Sequence, residues 1–109
     1  MRIRFVQSGG FAGLRRVATL DTGALPPKQA RELEALVDRS GFFELPEKLR
    51  APGADRFQYT VTVESADRQH TVQVTDGAVP PELQALLDTL RDAAQPEPLK
   101  PATGTPERR

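Results

Sequence analysis

The sequence predicts an α+β fold: a four-stranded antiparallel sheet with two helices packed on one face, in ββαββα order. Three observations carry this. Residues 57–63 and 72–74 alternate apolar and polar around a short polar turn, which is the pattern of a half-buried hairpin. Two other segments, Lys28–Arg39 and one opening at Pro80, carry apolar residues at helical spacing. The chain's 109 residues suffice for one modest core and leave no room for a second.

Taken in order, Arg2 to Gln7 forms a strand with Ile3 and Phe5 on one face and Arg2, Arg4 and Val6 on the other. A loop of six residues, Ser8-Gly9-Gly10-Phe11-Ala12-Gly13, leads into a second strand from Leu14 to Leu20. There Leu14, Ala18 and Leu20 share a side, but counting puts Arg16 on that side too, which predicts a bulge or a shifted register. Asp21-Thr22-Gly23 is turn chemistry, and Pro26-Pro27 suits a helix entrance, where a missing N–H costs little. The helix buries Ala30, Leu33, Leu36 and Val37, and Gly41 ends it. Phe42-Phe43-Glu44-Leu45-Pro46 is too short for a helix and reads as a plug beneath it.

A polar connection, Glu47 to Ala54, precedes the third strand, where Phe57, Tyr59, Val61 and Val63 alternate with Gln58, Thr60 and Thr62. After the Ser65-Ala66-Asp67 turn, Val72 and Val74 continue the pattern in the fourth. Asp76-Gly77 closes it, and Pro80-Pro81-Glu82 opens a helix with Leu83, Leu86, Leu87 and Leu90 in one stripe. The expected core comprises Phe5, Leu33, Leu36, Phe57, Tyr59, Val61, Leu86 and Leu87. Residues 1–94 make the domain. From Gln95 to Arg109 the chain is Pro-rich with a single Leu, too little apolar surface to offset its ordering entropy, and is expected to be a disordered tail.

Composition removes several function classes. Fifteen basic residues balance fifteen acidic ones, which argues against phosphate neutralisation on nucleic acid and against a polybasic membrane surface. Cys is absent, so there is no disulfide, thiol nucleophile or Cys-based zinc site. No stretch approaches the roughly 18 apolar residues that span a bilayer, and no apolar run follows the early arginines as a secretory signal would require. A cytoplasmic protein is the simplest reading.

Catalytic constellations are equally thin. His70 stands alone between Gln69 and Thr71, where an imidazole metal site wants three or four ligands, so it reads as a sheet-face histidine. A triad of Ser8, His70 and Asp55 can be assembled by name, but no Gly-x-Ser-x-Gly elbow supports it. Glu32 and Glu34, two apart on a helix, point different ways. Gly9-Gly10 with Gly13 leads into Leu14-Arg15-Arg16-Val17 and not into the helix that a dinucleotide site requires. Arg2, Arg4, Arg15 and Arg16 lie near one hairpin but lack interleaved aromatics beyond Phe11. The residues therefore describe a non-enzyme with no cofactor and no metal: a small scaffold displaying an unusual loop.

The series SGGFAGLRR, then FFELP after the first helix, then DRFQYTVTV and RQHTVQV, then a Pro-Pro helix entrance, resembles the emfourin family from Met1 to about Ala94. The resemblance implies a small bacterial cytoplasmic protein that inhibits thermolysin-like metalloproteases, protealysin being the type target, by blocking the active-site cleft. The partner would be the protease alone, with no nucleic acid or membrane, and the free inhibitor is expected to be a monomer. Those enzymes favour a bulky apolar residue just after the scissile bond. This marks Ser8, Gly9, Gly10, Phe11, Ala12, Gly13, Leu14 and Arg15 as the protease-binding loop, with Phe11 or Leu14 as its anchor. Glycines let its backbone come close to the enzyme. Two alternatives are a zinc contact through the Met1 amine and a non-inhibitory interaction module of the same fold.

Overall fold

The period-two pattern of the first strand is realised across a sheet that is wider than expected. The computed structural model describes residues 1–9, 15–52 and 57–96. Among them are strands β1 (Arg2–Ser8), β2 (Arg16–Asp21), β3 (Lys48–Leu49), β4 (Gln58–Ser65), β5 (Arg68–Thr75) and β6 (Gln95–Pro96), with helices α1 (Pro27–Ser40) and α2 (Pro81–Ala93). The sheet order is β3-β5-β4-β1-β2-β6. The four long strands pair antiparallel, with β1 at the centre: Phe5 sits opposite Ala18 on one side and Val61 on the other. Val61 in turn faces Val72.

The α+β class and the two helices are as predicted; the four-stranded, all-antiparallel sheet and the ββαββα order are not. β3 falls between α1 and β4 and runs parallel to β5, with Lys48 level with Gln73 and Leu49 level with Val74. The Gln73 amide donates to the Glu47 carbonyl at 2.7 Å. β6 follows α2 and pairs Gln95 with Val17 and Pro96 with Arg16, so the first two residues of the expected tail belong to the sheet. Two residues cannot display a period, and so pattern reading passes over both strands. The rest of that tail, 97–109, lies outside the described residues.

A second correction concerns the predicted bulge. The β1–β2 register runs unbroken from Arg2 opposite Asp21 to Gln7 opposite Arg16. Arg16 does share the parity of Ala18 and Leu20, but it lies at the end of the sheet opposite a polar residue and is exposed, so no bulge is needed.

One face of the sheet is apolar. Ile3, Phe5, Ala18, Tyr59, Val61, Val63, Val72 and Val74 form a single cluster with Leu33 and Val37 of α1 and the leucines of α2. The other face carries the exposed Arg2, Arg4 and Thr19 and the half-buried Thr60, Thr62 and Thr71. Leu83, Leu86, Leu87 and Leu90 are each 0% exposed, and their burial contributes roughly 1.5–3 kcal/mol apiece. Of the expected core, Phe5, Leu33, Tyr59, Val61, Leu86 and Leu87 are 4% exposed or less, and Leu36 is half-buried. Phe57 is the exception: it is 41% exposed.

Local chemistry explains the helix boundaries. Proline occupies the first turn of each helix, where its missing N–H goes unused. α1 ends at Gly41 with φ 63°, its N–H donating to the Asp38 carbonyl at 3.1 Å. The predicted plug is a 3-10 turn, Phe42–Glu44. Phe42 is buried and meets the rings of Phe43 and His70 edge-to-face at 5.9 and 5.6 Å.

Tyr59 stacks on Phe5, with ring centroids 6.0 Å apart, and the Arg91 guanidinium lies 5.8 Å from its ring. Burial pushes its phenol above the ordinary value near 10; Arg91 pulls it down, and Asp76 and Asp88 push it up. A phenol that holds its proton more tightly when folded stabilises the fold in full below pH 10. That contribution is lost as pH rises through the raised value. The urea midpoint is therefore expected to stay level between pH 8 and about 9.5 and to fall above about 10. Tyr59→Phe should flatten that decline. An equal decline in both proteins would show that another group is responsible.

Candidate functional site

β1 stops pairing at Ser8, which is level with Gln58, and Gly9 then turns the chain with φ 101°. Only glycine adopts that backbone conformation without strain, so this first loop glycine has a geometric reason to be there. The chain returns through the exposed Arg15 to Arg16, which is paired to Gln7 of β1 and to Pro96 of β6. Ser8, Gly9 and Arg15 of the predicted loop are thus brought together at one end of the sheet. Gly10, Phe11, Ala12, Gly13 and Leu14 lie outside the described residues.

That end also gathers residues that sequence reasoning did not assign to a site. Gln58 is level with both Ser8 and Thr75, so Phe57 stands one position beyond the last described pair, on the Gly9 side. Its carbonyl accepts from the Asp76 amide at 2.9 Å, and Gly77, with φ 97°, completes the turn there. Phe57 has the inward parity of Tyr59 and Val61, which is why alternation assigned it to the core. No sequence signal marked its exposure, because parity says nothing about how far along the strand the helices reach.

The N-terminus belongs to the opposite end. The Met1 carbonyl accepts from the Thr22 amide at 2.9 Å and the Thr22 hydroxyl at 3.2 Å, and Arg2 is level with Asp21 and Glu64. The Asp21 carboxylate accepts from the Gly23 amide at 2.9 Å, and the Arg2 guanidinium lies 3.7 Å from the Glu64 carboxylate.

The other sequence candidates do not converge. Ser8 is level, through Gln58, with Thr75, five positions along β5 from His70, on the order of 16 Å. Asp55 lies outside the described residues. His70 holds structure together: its Nε2 is 2.7 Å from the Leu45 carbonyl, which ties β5 to the plug segment. Beside it the Arg68 guanidinium sits 4.0 Å from the Phe43 ring. Arg2 and Arg4 project to the open face and Arg16 to the other, so the four arginines do not form one patch. No helix among the described residues is long and apolar enough to cross a membrane.

A groove of about 740 Å³ beside α1 has an apolar floor that includes Leu25, Leu33 and Leu36, with Lys28, Arg31 and Arg39 along it. Glu32 is the one carboxylate in its lining, so it holds no carboxylate pair.

No curated protein and no solved structure matches the chain. The family model of emfourin matches residues 5–91, a span that runs from the middle of β1 through most of α2. The chain therefore belongs to the emfourin family, a family of protease inhibitors.

Proposed function

We propose that this emfourin inhibits thermolysin-like zinc metalloproteases of the protealysin kind, with Ser8–Arg15 entering the substrate cleft. The observation that carries the reading is the anchored base of that segment. Ser8 is held by β4, Gly9 turns away with positive φ, and Arg16 is held between β1 and β6. Fixing both ends of an inhibitory loop lowers the entropy lost on binding. Phe11 and Leu14 supply bulky apolar side chains of the kind those enzymes favour after the scissile bond, and the glycines permit close backbone approach. The inhibitor acts as a monomer in the bacterial cytoplasm, without a cofactor.

The Met1 amine is the rival zinc contact. Strand rise puts it roughly 20 Å from Ser8, and its carbonyl is tied to Thr22. Steady-state inhibition across a panel of thermolysin-like proteases tests the proposal, using the full chain and a version lengthened at the N-terminus by a few residues. Both are expected to inhibit. No inhibition by either would leave a non-inhibitory interaction module. Inhibition abolished by the extension alone would move the metal contact to Met1.

A further inference from the structure

Phe57 is the one large hydrophobic residue among those described that is exposed. A single exposed Phe is ordinary on a protein surface; its position here is not. It has inward parity, yet the next residue of that parity, Tyr59, is almost fully buried. The ring of Tyr59 already lies near Arg91, in the last turn of α2, so the helical cover ends within one strand repeat of Phe57. Phe57 thus lies at the end of the sheet where Ser8 and Gly9 leave β1, on the strand next to it.

Its backbone is held on the β5 side, and the next residue is held on both sides. The carbonyl accepts from Asp76, and Gln58, the next residue, is level with both Ser8 and Thr75. A ring carried on paired backbone loses little freedom on binding, which favours it as an anchor.

We propose that Phe57 is a second anchor on the protease, packing against an apolar patch at the rim of the cleft that Ser8–Arg15 enters. This rests on the inhibitory reading above and adds to it a contact from a different part of the chain. Burying the exposed part of one aromatic ring corresponds to about 10-fold to 30-fold in affinity.

The test uses a thermolysin-like protease that the unmodified protein inhibits. Ki and melting temperature are measured for the full chain and for Phe57→Ala and Phe57→Asp. Because the ring is partly exposed, the fold should tolerate both changes. Ki is expected to rise about 10-fold or more in Phe57→Ala and further in Phe57→Asp, with each variant still folded at the assay temperature. If Ki stays within about twofold of the unmodified protein in both variants, the second anchor is refuted while the inhibitory function stands. If the unmodified protein inhibits no member of the panel, both readings fall together.

Discussion

Phe5→Ala is expected to lose about 3–5 kcal/mol of stability in urea denaturation, enough to bring the protein close to unfolding at moderate temperature. The side chain is fully buried at the centre of the sheet, between Ala18 and Val61, and its ring stacks on Tyr59. Ala18 is too small to move into the space left behind, and Val61 is fixed by pairing to both β1 and β5. The hole would therefore stay largely open, and the cost combines lost transfer energy with lost contacts on its walls. A domain of this size has roughly 5–15 kcal/mol in total. The melting temperature should fall by more than about 10 °C. A loss under about 1 kcal/mol would mean that the cluster around β1 is not the centre of stability.

Phe11→Ala is expected to raise Ki against a susceptible thermolysin-like protease about 30-fold, with no change in melting temperature. An aromatic anchor at the centre of an interface often contributes 2 kcal/mol or more, which corresponds to that factor. The prediction separates function from fold because β1 and β2 are held by their own register on either side of the loop. Unchanged inhibition would transfer the anchoring role to Leu14 or end the cleft reading for this segment.

The long elements were legible because each repeats its own signal. Tyr59, Val61 and Val63 give three successive turns of a period of two, and the leucines of α2 give a complete helical stripe. β3 and β6 have no period to read, and their pairing is decided by neighbours distant in sequence: Gln73 for one, Arg16 and Val17 for the other. Arg16 was assigned the right face and the wrong remedy, since a charged side chain at the end of a sheet reaches water without a bulge. Phe57 failed for the complementary reason. Alternation gives a residue's side of the sheet, but burial depends on what covers that side, and the helical cover ends near Tyr59. At the proposed site, the sequence nominates the loop, and the structure shows paired backbone at its base and an exposed aromatic on the neighbouring strand.

The two short outer strands have a consequence for a protein whose partner cuts peptide bonds. A protease engages its substrate as extended chain, largely through backbone N–H and C=O groups, and a long bare strand at the margin of a sheet is an invitation to such pairing. Here Lys48–Leu49 joins the outer side of β5 at Gln73 and Val74, where the Gln73 amide donates to the Glu47 carbonyl; Gln95–Pro96 joins the outer side of β2. Each outermost strand is two residues long. One of them includes a lysine and the other a proline, which has no N–H to give. Each outermost strand thus covers two positions of its neighbour, Gln73–Val74 of β5 and Arg16–Val17 of β2, and shortens the margin on which a further extended chain could pair.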